Sequence, residues 1–166
     1  SKFSSKNDIK KLSPTNYLKK TQSFHKIIGK EKEVIRLSSL LLAKRKNAEA
    51  YFYRGYAKAQ IKDLKGALND YNKAIKIDSS NPEFLHNRGI IKDKLKDYEG
   101  AIMDYSTAIK KNQFYLLAYK NRGITNLKVA CSDFKKASSL INNKDKEINN
   151  LINRSCQQLD FLEAKN

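Results

Sequence analysis

The chain has 166 residues, with 34 lysines and arginines against 17 aspartates and glutamates, a formal charge of +17. A length near 150 residues predicts one domain, large enough to bury roughly 70% of the surface its unfolded chain exposes. With 40% hydrophobic residues, two prolines and six glycines, the composition excludes a disordered, low-complexity or collagen-like chain and points to a helix-rich globule.

The longest apolar stretch, Ile35 to Ala43, is interrupted by Arg36, Ser38 and Ser39, whereas a membrane span needs about 20 apolar residues. Nothing in the residues names a compartment. The cytoplasm is the default expectation, and a chain that starts at Ser1 is compatible with an upstream signal peptide. Cys131 and Cys156 stand too far apart for the close thiolate pairs of a zinc ribbon. They are expected as two separate, small, half-buried hydrophobes, with a disulfide between neighbouring helices as the less favoured alternative.

Taken in order, residues 1–13 form a basic leader. Beyond it a period emerges: Tyr51-Phe52-Tyr53-Arg54-Gly55 returns after 34 residues as Leu85-His86-Asn87-Arg88-Gly89, and again as Tyr119-Lys120-Asn121-Arg122-Gly123. Twelve residues past Gly55 begins Ala67-Leu68-Asn69-Asp70-Tyr71-Asn72-Lys73-Ala74. Its second copy is Ala101-Ile102-Met103-Asp104-Tyr105-Ser106-Thr107-Ala108, and its third Ala130-Cys131-Ser132-Asp133-Phe134-Lys135-Lys136-Ala137. A fixed period of this length marks stacked supersecondary units.

These residues resemble the tetratricopeptide repeat, a helix-turn-helix unit with an aromatic at position 4, Gly at 8, Ala at 20, an aromatic at 24 and Ala at 27. Repeats are expected over 48–81, 82–115 and 116–143. In the third, Ala130 arrives five residues early, so its turn is short or missing, or is occupied by residues absent from the sequence. A degenerate capping repeat is expected over 14–47, where Tyr17, Phe24, Ile27, Leu37 and Leu40 keep the spacing without the glycine and alanines. An amphipathic closing helix is expected over 144–163. The implied fold is all-α: a right-handed solenoid of antiparallel helix pairs with a C-terminal cap.

Arg54, Arg88 and Arg122 share position 7, while Asp70, Asp104 and Asp133 share position 23. Their co-occurrence predicts a structural ion pair inside each hairpin. Five glycines sit at positions 8 or 19, which leaves none for a phosphate loop. His25 and His86 lack the i,i+4 partner of a helical zinc pair. No cofactor, metal or catalytic residue is therefore expected.

The resemblance implies that the first helix of each repeat lines a concave groove. The residues expected there are Phe52, Tyr53, Tyr56 and Gln60 from the first repeat; His86, Asn87, Ile90 and Lys94 from the second; and Lys120, Asn121, Ile124 and Lys128 from the third. Phe52 and Tyr56, one helical turn apart, expose an aromatic anchor unless the degenerate repeat covers them. Asn87 and Asn121 occupy position 6 in successive repeats, where an amide can hold an extended peptide backbone. Family members that bind chaperone C-termini carry a carboxylate clamp; of that pattern only Asn87 matches. Phe52, Tyr56, Leu117 and Asn121 replace the other members, so chaperone tails are not the expected ligand.

The expected function is a non-enzymatic scaffold for a peptide or protein segment, an acidic one being among the options. The alternative is polyanion binding, to RNA or an acidic surface, through the basic N-terminal region. Residues 1–47 hold 13 basic and 3 acidic side chains, so +10 of the +17 precedes the clear repeats. A nearly neutral groove makes nucleic acid the lesser expectation. Oligomeric state stays open at this point.

Overall fold

Capping side chains set where the chain turns. Asn47, Asp63, Asn81 and Asp97 each accept a hydrogen bond from a backbone N–H of the helix that follows, at 2.7, 2.9, 2.9 and 3.0 Å, which satisfies donors that a helix start otherwise strands. Pro82 and Pro14 occupy the first turn of their helices, where no N–H is needed. The computed structural model describes residues 13–25, 29–140 and 146–164. Among these every regular element is a helix: α1 (Pro14–Phe24), α2 (Glu31–Lys44), α3 (Ala48–Gln60), α4 (Leu64–Ile77), α5 (Pro82–Lys94), α6 (Tyr98–Lys111), α7 (Leu116–Leu140) and α8 (Lys146–Glu163). The leader's residues 1–12 lie outside the described residues.

Helices α1 and α2, α3 and α4, and α5 and α6 pack as successive hairpins, each resting on the next, and α8 lies along α7. The first helices α1, α3, α5 and α7 also touch in sequence, forming an inner row. Between hairpins the core is continuous: Phe52, Ala67, Tyr71, Ala74, Phe84 and Ile91 make one cluster, and Leu85, Ala101, Tyr105, Ala108, Ile109 and Ala118 the next. Tyr17, Leu37, Leu41 and Ala50 join the weak N-terminal hairpin to α3.

Within each of the two clear repeats a glycine receives the aromatic of the opposite helix. A Cβ added at Gly55 would stand 3.0 Å from the Tyr71 ring, and one at Gly89 only 2.6 Å from Tyr105. Both rings are buried. Gly89→Ala is therefore expected to cost about 1–3 kcal/mol through overpacking, partly offset by alanine's helix preference of up to about 1 kcal/mol. Thermal melts should show a clear fall in Tm for Gly89→Ala and a smaller one for Gly55→Ala.

The predicted ion pairs form in the first two repeats. Arg54 grips Asp70 with Nε and Nη2 at 2.9 and 2.7 Å, and Arg88 grips Asp104 at 2.8 and 2.6 Å. Lys58 and Lys92 add a second cation to each carboxylate, at 2.8 and 3.0 Å. The bidentate bond to Asp70 raises the Arg54 pKa above its ordinary value against the opposing effect of burial.

In the third unit the turn is missing, and with it the second helix of a hairpin over 116–143. Leu116 to Leu140 is one unbroken helix, without a turn after Gly123. The two clear hairpins close through a lysine in the left-handed region, Lys62 and Lys96, both at φ 66°, followed by the capping aspartates Asp63 and Asp97. The five-residue shortfall removes both devices, so the helix simply continues. This also corrects the Arg122–Asp133 pairing, because eleven residues of helix separate the two by about 16 Å. Arg122 instead donates from Nη1 to Ser106 Oγ at 3.1 Å and lies over the Tyr119 ring.

The cysteines likewise form the less favoured arrangement. Cys131 on α7 and Cys156 on α8 are joined as a disulfide, with Cα atoms 5.3 Å apart, inside the ordinary range for such a bond. Continuity of α7 makes this possible, since it runs α8 antiparallel beside Cys131; Ser138 meets Asn149 at 2.9 Å in the same register.

Candidate functional site: a pocket between α5 and α7

Two sets of polar contacts tie α5 to α7 across the inner row. His86 is buried, with Nδ1 3.2 Å from Tyr115 Oη and Nε2 2.9 Å from Asn121 Nδ2. An amide nitrogen only donates, so Nε2 accepts and the proton sits on Nδ1, facing the phenol oxygen. Two turns further along α5, Asp93 accepts from Thr125 Oγ1 at 2.9 Å and from Lys128 Nζ at 2.7 Å. Between these ties opens a cavity of about 410 Å³ lined by Ile90, Asp93, Lys94, Tyr105, Asn121, Ile124, Thr125 and Lys128.

Five of the groove residues expected from sequence thus line one cavity: Ile90, Lys94, Asn121, Ile124 and Lys128. Lys120 is exposed on α7, and Asn87 donates from Nδ2 to the Glu83 carbonyl of its own helix at 2.9 Å. The paired-amide arrangement of Asn87 and Asn121 is therefore committed internally on both sides, one amide to backbone and the other to His86.

The aromatic end of the groove is different from the expectation. Phe52 is 3% exposed and stacks on Phe84 at 4.9 Å, so it is a core residue and offers no anchor. His25 from α1's end covers Tyr53 and Tyr56, with ring centroids 4.6 and 5.9 Å away, and Gln60 lies exposed at the last turn of α3. The degenerate first hairpin closes this end because Tyr53 and Tyr56 are the apolar surface nearest to it. Tyr115 and Thr125 were not singled out from sequence. They lie outside the groove positions of the repeat, and only the fold brings them to His86 and Asp93.

Burial lowers the His86 pKa from its ordinary 6.5, and burial with the nearby Glu83 charge pushes Tyr115 up to about 12. Because the folded His86 resists the proton that the unfolded chain accepts, its contribution to stability is complete above 6.5. That contribution is lost as pH falls through 6.5 toward the folded value. Protonation also turns Nε2 into a donor against the Asn121 amide. Melting temperature should decline as pH drops from about 7.5 to about 5.5, and His86→Gln should flatten that decline.

The fold and cavity define a helical-repeat solenoid with a groove along its first helices. Family models for the TPR repeat and the tetratricopeptide repeat match residues 55–95 and 82–113; over these residues the chain carries tetratricopeptide repeats. Solved structures agree in fold. The crystal structure of MamA superposes with a TM-score of 0.64 at 18% identity, covering 93% of this chain and 82% of that one. The first TPR of Spaghetti (RPAP3), bound to the HSP90 peptide SRMEEVD, gives 0.66 at 21% identity, covering 70% and 93%. The TPR2B domain of yeast Sti1 in an Hsp70-peptide complex gives 0.53 at 17%, covering 86% and 98%. No curated protein sequence matches the chain. Among the described residues no helix is long and apolar enough to cross a membrane.

Proposed function

We propose that the chain is a non-enzymatic scaffold that receives a peptide or protein segment along α5 and α7, seating one apolar side chain of that segment between Ile90 and Ile124. The cavity carries this reading. Its lining sets the aliphatic Ile90 and Ile124 beside Lys94 and the Asp93–Lys128 pair, and Lys120 stands on the same helix as Lys128, so the local excess of cations suits a segment with acidic residues beside an apolar one. Peptide-bound structures of the same architecture support a peptide ligand. The loss of the clamp residues argues for a sequence other than a chaperone tail. Nothing in these likenesses favours the polyanion alternative.

An array of acidic–aliphatic peptides, read by fluorescence anisotropy, tests the assignment. Ile124→Glu should weaken the best binder at least about tenfold, roughly 1.4 kcal/mol, while Gln60→Ala leaves it unchanged. Equal affinity of the Ile124→Glu protein would remove the pocket from the function. The disulfide supports a working place outside a reducing cytosol, contrary to the default drawn from sequence; alkylation of free thiols in cells containing the protein checks it.

A further inference from the structure

The five-residue deletion has a geometric effect beyond abolishing a turn. In the two clear repeats positions 7 with 23 and 8 with 24 face each other across a hairpin, and positions 4 and 27 belong to one core cluster. Arg54 meets Asp70 and Gly55 receives Tyr71, then Arg88 meets Asp104 and Gly89 receives Tyr105. In the third unit the receiving half (Tyr119, Arg122, Gly123) and the inserting half (Asp133, Phe134, Ala137) lie on one continuous helix. Gly123 and Ala130 are seven residues apart, nearly two full turns, so both halves share a face. That face is turned away from the groove residues Asn121, Thr125 and Lys128.

The receiving half is open. A Cβ at Gly123 would meet nothing within 4 Å, in contrast to Gly55 and Gly89. Tyr119 and Leu116 are 43% and 77% exposed. Arg122 keeps the posture of Arg54, over the ring at position 4 and with Nη1 on the preceding unit. Among the described residues its Nε and Nη2 meet no carboxylate. The inserting half is accessible too: Asp133 is exposed, and Phe134 and Ala137 are half-buried. Helix α8 does not extend over the receiving half. The register of Cys131 with Cys156 and Ser138 with Asn149 places the end of α8 opposite Gly123.

We propose that this face of α7 binds a second copy of the same chain, antiparallel and about a two-fold axis near residues 128–129. Tyr119 then packs on Ala137, Arg122 bonds Asp133 and Gly123 receives Phe134, with the reciprocal set made by the partner. A helix that carries both complementary halves on one face is self-complementary in the sense a two-fold dimer requires. The contact runs along about 30 Å of helix. It uses the same three pairs that hold each intact hairpin together, and one of them is a charge pair.

Sedimentation velocity on the full chain tests the proposal, at roughly 10–100 μM in about 0.15 M salt, where charges beyond about 8 Å are screened. The wild type should sediment as a species of twice 19.1 kDa. Arg122→Glu alone and Asp133→Arg alone should each give monomer, and the double reversal should restore the dimer. Gly123→Leu enters open space, so it should keep the wild-type circular dichroism and melt as monomer yet fail to dimerise. A monomeric wild type across that range, a dimer that survives Gly123→Leu, or a double reversal that stays monomeric would each overturn the assignment.

Discussion

Replacing Asp104 with alanine should lower stability by about 2–4 kcal/mol, among the largest effects of any single change in this protein. Asp104 is 3% exposed and holds both Arg88 and Lys92, so its loss leaves two cations at a half-buried site without a counter-charge. Breaking a buried pair from one side costs about 3–5 kcal/mol. The lower figure applies here because the side chains of Arg88 and Lys92 are each 19% exposed and keep part of their hydration. At about 2–4 °C per kcal/mol for a chain this long, the fall in Tm should approach ten degrees. Asp104→Asn retains shape but not charge, and should recover only part of the loss. An unchanged Tm for Asp104→Ala would show that these arginines serve a ligand and not the hairpin.

Removing the disulfide by Cys131→Ser with Cys156→Ser should release α8 selectively. The bond closes a segment of 25 residues, for which chain entropy predicts about 3–4 kcal/mol. In a solenoid each unit contacts only its neighbours, so the loss falls on the terminal helix. Among the described helices, α8 packs chiefly against α7. Amide exchange over 146–163 should accelerate by roughly two orders of magnitude, while exchange in α3 to α6 stays as it was. Uniform acceleration across the chain would mean that α8 closes the whole solenoid, in which case Tm and the exchange rates fall and rise together.

How much was legible beforehand depended on whether a residue's partner lies inside its own repeat. Arg54 with Asp70 and Arg88 with Asp104 recur at a constant separation, so the pairing could be read from spacing; their second cations, Lys58 and Lys92, were overlooked. Five of the eight pocket-lining residues, Ile90, Lys94, Asn121, Ile124 and Lys128, were likewise readable, because they sit at groove positions of regular helices. Phe52 was misread for a reason spacing cannot reveal. Its ring reaches across to Phe84 in the next repeat, and an aromatic at a groove position is just as well placed to fill the gap between hairpins. His86 had been given to the ligand on the same grounds, yet its ring nitrogens are engaged by Tyr115, at the last position of its own repeat, and by Asn121 from the next unit.

The 34-residue recurrence of glycine, alanine and aromatic residues is enough to establish helical hairpins stacked into a solenoid, because those side chains answer one another at short, repeated range. The outcome of the third unit needed the folded molecule. Five missing residues are compatible with a tight turn or with none, and in the folded molecule the helix runs on past Gly123 without the left-handed lysine and capping aspartate that close the other two hairpins. From that one continuation follow the placement of α8, the joining of Cys131 to Cys156, the separation of Arg122 from Asp133 and the open face of α7. All of these are contacts between parts of the chain that no periodicity relates.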